Sequence, residues 1–137
     1  MRTDWSQIPA AASGLEAIDS LQIALFRSAS QLAEAARARR AEEARAHVAE
    51  VAELARTLFA QEERLLREAR SLSLERHARQ HERFLSDLEV VGEELERRGV
   101  GALAELQVAN HVVAWLEAHV GQTDRDLDRA VVPAAQA

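Results

Sequence analysis

The chain contains no cysteine, no tyrosine and no lysine. Without cysteine there can be no disulfide, no thiolate nucleophile and no Cys-ligated zinc or iron–sulfur site. Any metal site must be built from His, Asp, Glu or water. All 17 basic residues are arginine, and 23 acidic residues outnumber them, giving a formal net charge of -6. That balance leaves no basic excess to neutralise phosphates and argues against nucleic acid and against anionic membrane surfaces. Aromatics make up only 4% of the residues, so Leu, Ala and Val must build most of the core. Five glycines and two prolines leave little material for a turn-rich fold. No apolar run approaches the ~20 residues of a transmembrane helix. The start, MRTDWSQIPAAASG, lacks the apolar stretch of a secretory signal, so a cytoplasmic location is the expectation.

What remains is a helical composition. Ala, Leu, Glu and Arg dominate the 137 residues, and all four are strong helix formers. The length suits one domain spanning 1–137. Four stretches carry a 3–4 apolar spacing, and no β-type alternation interrupts them. The pattern predicts helices over roughly Leu15–Ala36, Ala41–Arg70, Leu74–Arg98 and Ala102–Leu127. Ser13 with Glu16 reads as a capping box, with Asp19 a competing cap. Gly99-Val100-Gly101 ends the third helix with two residues that tolerate positive φ. A leader over about 1–13, around Trp5 and Pro9, is expected to be non-helical and to pack over one end. A tail from about 129, with Pro133, is expected to fray. Short connections between long helices imply an all-α, up-down-up-down antiparallel four-helix bundle.

The inward stripes are apolar except at a few positions. The first reads Ile18, Gln22, Leu25, Ala29, Leu32, Ala36; the second His47, Val51, Leu54, Leu58, Glu62, Leu65, Ala69. The third reads Leu74, His77, His81, Phe84, Leu88, Gly92, Leu95, and the fourth Val108, Val112, Trp115, His119. Burying a neutral polar group without a partner costs on the order of 2–7 kcal/mol, and a charge costs more. Several such residues on different helices need a common explanation. In an antiparallel bundle, Gln22 (early), Glu62 (late), His77 and His81 (early) and His119 (late) fall at one end and one depth. A divalent cation would there remove the cost of burying imidazoles and carboxylates together. His77 and His81 are spaced i, i+4, so both face one point. Asp124 is five residues past His119 and about 140° round an ideal helix. It joins the group only if the helix widens to a π-bulge or unwinds, and Gly121 offers a place for that.

At these residues the chain resembles the hemerythrin family, including the bacterial hemerythrin-like proteins. The likeness is carried by Gly14–Phe26, Leu58–Leu66, His77-Ala-Arg-Gln-His81 and Trp115-Leu-Glu-Ala-His-Val-Gly-Gln-Thr-Asp124, and extends from Trp5 to about Leu127. It implies an antiparallel four-helix bundle with a site for two irons, which in the family bind O2 reversibly. By position, His77, His81 and His119 match the three histidines of one iron, and Glu62 and Asp124 match the bridging carboxylates. The second iron's two histidines correspond to Gln22 and Leu58, so the resemblance implies that the O2-binding half is lost. The metal-ligand set expected is therefore Glu62, His77, His81, His119 and Asp124. Iron is the leading cofactor, as one or two ions, with zinc or manganese as alternatives.

Three functions follow from different classes. One is a metal-binding bundle with one retained site. Another is an atypical di-iron protein that binds or senses O2, another diatomic ligand or peroxide. The third is a metal-free interaction or signalling module whose histidines bond to Glu62 and Asp124. An independent enzyme ranks last, since no nucleophile motif or phosphate loop is present. His47 and His111 read as polar residues away from the site, Trp115 as a wall beside His119, and Glu63 as solvated.

Overall fold

The computed structural model describes the backbone of residues 13–136 and the side chains of residues 16–127. The expectations for the leader around Trp5 and Pro9 lie outside the described residues. Helices α1 (Ser13–Arg37), α2 (Ala41–Glu68) and α3 (Leu74–Arg98) are followed by a continuous rod. That rod comprises α4 (Ala102–Gln107), a π-helical segment (Val108–Val113) and α5 (Ala114–Gln136). The fold is all-α, with four long helical stretches and no strand among the described residues. The helical backbone continues past Asp128, to Gln136. No described helix is long and apolar enough to cross a membrane.

The helix ends are settled by backbone geometry as much as by residue type. α1 and α2 both close through a left-handed residue that is not glycine: Arg39 at φ 60° and Arg70 at φ 54°. Each is followed by an N–H that reaches back five residues, Arg40 to the carbonyl of Ala35 and Ser71 to that of Leu66. These are the bonds of the Schellman closure, which satisfies carbonyls the helix leaves open. After α3 only Gly99 uses positive φ (68°), whereas Gly101 is extended.

α1 packs on α2, α2 on α3, and the π-helical segment on α1 and α3, while α5 reaches α2. Every position of the expected α1 stripe is buried, Gln22 included. In α2 and α3 the stripe holds at Val51, Leu58, Glu62, His77, His81, Phe84, Leu88 and Leu95. In α2, Phe59 and Leu66 are buried more deeply than Leu54 and Leu65. The fourth stripe departs more. A π turn holds one residue more than an α turn, so everything after it advances on the helix face. Past the π segment the buried positions are Leu116, His119, Val120, Thr123, Asp126 and Leu127, with Trp115 only half-buried.

Candidate metal centre

Four of the five expected ligands converge. Glu62, His77, His81 and His119 are all buried, and one potential ligand atom from each lies within 4.8 Å of every other. They come from α2, α3 and α5. His77 and His81 stand one turn apart on α3, as the i, i+4 spacing requires. The Nε2 atoms of His81 and His119 are 3.0 Å apart, and Glu62 Oε1 lies 3.0 Å from the first and 3.6 Å from the second. Bonds of about 2.0–2.1 Å to a tetrahedral cation place its ligand atoms about 3.3 Å apart. The three atoms thus have the separations of a coordination shell.

The rings are held from behind. His81 Nδ1 donates to Glu63 Oε2 at 2.7 Å, which leaves Nε2 with its lone pair in the cluster. His77 Nε2 donates to Asp126 Oδ2 at 2.6 Å, leaving the Nδ1 lone pair, and that atom is buried with no partner. Carboxylates placed on the far nitrogen of a ligating histidine fix its tautomer and raise its basicity. Asp126 is itself gripped by Arg76 and by the carboxamide Nε2 of Gln122 at 3.1 and 3.2 Å. Two aromatic rings complete the packing. Phe59 stacks on His81 with centroids 3.9 Å apart, and Trp115 stacks on His119 at 4.3 Å.

Electrostatics lean toward an ionised Glu62 carboxylate facing a neutral His119 imidazole. Burial pushes the Glu62 carboxyl up, but the facing His119 and His81 rings more than offset this and hold it below the usual range. Burial pulls His119 down, and the neighbouring His81 and His77 add to that, against the opposing pull of Glu62. Burial also raises Asp126, but Gln122, His77 and Arg76 outweigh it and hold the carboxyl low. Neutral imidazole and ionised carboxylate are the ligand forms a divalent cation requires.

Two expectations about carboxylates change. Asp124 is not in the converging group. The helical widening that would bring it there lies upstream, at Val108–Val113, and the stretch around Gly121 is regular α-helix. Asp124 therefore stays about 140° from His119 around the helix. Asp126, seven residues from His119 and back on the same face, is the acid that meets the cluster. Glu63 is not merely solvated, because it bonds to His81. The i+7 spacing from His119 permits Asp126 without singling it out, while Glu63 carried no periodic signal. His47 and His111 do not join the group; His111 lies on the surface, 3.8 Å from Asp87.

The other expected iron position is differently furnished. Gln22 and Leu58 are each 1% exposed, and both polar atoms of the Gln22 carboxamide are buried without a hydrogen-bond partner. Thr123 Oγ1, one turn beyond His119, is likewise buried and unpaired. Compared with known proteins, the chain matches no family model, no curated protein and no solved structure.

Proposed function

We propose that this chain is a hemerythrin-like antiparallel four-helix bundle that holds one divalent cation through Glu62, His77, His81 and His119. The single observation that carries this is the meeting of His81 Nε2, His119 Nε2 and Glu62 Oε1 within 3.0–3.6 Å among buried side chains. Lone-pair atoms are not normally gathered in this way without a shared proton or cation to hold them. The Glu63 and Asp126 contacts support the same reading, since they orient two rings as ligating histidines are oriented. An antiparallel course is supported by the way the end of α2 and the start of α3 supply facing residues.

Three imidazoles and a carboxylate suit Fe(II), Zn(II) or Mn(II), with iron the first choice on the likeness to hemerythrins. Bound there, iron would supply one-electron redox chemistry and zinc a Lewis acid. The chain's own residues fix the ligands, exclude water and favour the neutral form of His119. With Gln22 and Leu58 at the other position, conventional O2 carriage is not part of this reading. The location consistent with it is the cytoplasm.

The test is metal content per chain after anaerobic reconstitution with Fe(II), Zn(II) or Mn(II) and removal of the excess. About one ion per chain is expected, and well under one for all three metals overturns the reading. A second reading, a metal-free interaction module, is favoured by one observation: His77, His81 and His119 each already face a carboxylate. Thermal stability that responds to neither chelator nor added metal would select it.

A further inference from the structure

Of the four cluster residues, Glu62, His77 and His81 are 0–2% exposed and His119 is 6% exposed. That small difference has a structural cause. A side pocket of about 270 Å³ opens between α3 and α5, lined by Gln80, Trp115, Ala118, His119 and Gln122. His119 is the one member of the cluster in its wall, so a single imidazole separates the pocket from the ligand atoms. At ~30 Å³ per water, a divalent ion with six waters needs roughly 180 Å³, which this space can hold.

The lining is polar where it matters. Gln80 Oε1 is buried and has no hydrogen-bond partner, leaving a carbonyl oxygen ready for a hard cation. Gln122 spans the pocket and the site, since its amide donates to Asp126, which in turn holds His77. Two arginines bear on the same rim, Arg125 on Gln122 Oε1 and Arg76 on Asp126. They occupy those oxygens, whereas Gln80 Oε1 has no hydrogen-bond partner.

We propose that this pocket is the port through which a hydrated divalent cation reaches the buried site, with Gln80 Oε1 as its first, transient oxygen ligand and His119 as the residue that passes it inward. This rests on the metal-binding reading above. The cation loses water at Gln80 before meeting imidazole nitrogen. Swinging the His119 ring away from its stack on Trp115 is the motion the passage requires.

The experiment is the rate of Co(II) uptake by the apoprotein, followed by visible absorbance in a stopped-flow instrument. Ala118 is exposed, so Ala118→Trp fills the pocket without entering the core. Uptake at least 10-fold slower, with unchanged final stoichiometry, is expected for Ala118→Trp. A smaller slowing is expected for Gln80→Leu. Ala49→Trp, placed in the separate groove between α2 and α3, should load at the wild-type rate. Wild-type rates in both pocket variants, or equal slowing by Ala49→Trp, overturn the port. No Co(II) uptake by the wild-type protein overturns the metal-binding reading itself.

Discussion

His81 and His119, 38 residues apart in sequence, place their Nε2 atoms 3.0 Å from each other, while Glu63 accepts the hydrogen bond from His81 Nδ1. At most one proton can lie between the two facing nitrogens. Glu62 Oε1, 3.0 Å from the His81 nitrogen and 3.6 Å from that of His119, competes for it. A cation would satisfy all three atoms at once.

Metal should stabilise the folded protein measurably. At a free concentration 100 times Kd, binding to the native state adds about 2.7 kcal/mol. For a domain of this size that is roughly 10 °C in Tm. Calorimetry with and without Zn(II) is the measurement. His81→Ala should abolish the shift, and a variant that kept it would refute the ligand role.

The carboxylates behind the rings should matter without being ligands. Glu63→Gln and Asp126→Asn are each expected to weaken metal affinity 10–100-fold. Far-UV circular dichroism should remain unchanged for Glu63→Gln, whose side chain is partly exposed. Competition with a chromophoric chelator gives the affinities, and wild-type values in both variants would remove these residues from the account.

Acid should weaken the metal-free protein in two stages. His119 is held below its ordinary pKa, so beneath about pH 6.5 the unfolded chain takes up a proton that the folded one refuses, and stability falls. Glu62 and Asp126 are also held low, so their contribution is present above about pH 4 and is lost as pH drops further. Urea midpoints between pH 8 and pH 3 should decline over both windows. A His119→Gln protein should lose the upper part of the decline, and a flat profile from pH 8 to pH 5 would contradict the assignment.

The unpaired Gln22 carboxamide marks a second test. Replacing Gln22 and Leu58 together by histidine should raise iron loading from about one to about two ions per chain and give an azide-dependent absorption band. No additional iron would refute the positional match to the hemerythrin family.

The left-handed Arg70 offers a test of the fold alone. A side chain at positive φ costs roughly 1–2 kcal/mol relative to glycine's freedom. Glycine's greater freedom when unfolded returns part of that. Arg70→Gly should therefore stabilise by about 0.5–1 kcal/mol, read as a higher urea midpoint.

Much of this arrangement was legible because polar residues stood out on apolar stripes. Gln22, Glu62, His77, His81 and His119 each interrupted a helical period, and each is buried. Asp124 stood out by resemblance, yet it lies outside the converging group. The residue that meets the cluster is Asp126, which periodicity from His119 permits but nothing in the sequence singles out. Glu63 escaped because a side chain at the stripe's edge can reach inward by its own length. Phe59 escaped for a similar reason, since ring stacking on His81 follows from tertiary packing and not from spacing. The π segment left no compositional trace, because Val-Ala-Asn-His-Val-Val reads as ordinary helix.

That segment gives the last rod a tolerance in chain length. Its turn holds a surplus residue, so deleting one residue between 108 and 113 would let the turn relax to α-helix while His119 keeps its bearing on the cluster. The same deletion between 114 and 118 has no slack to draw on, and would turn the residues near His119 by about 100° relative to one another. Natural or engineered shortening of this rod should therefore be accommodated ahead of Ala114 and not after it.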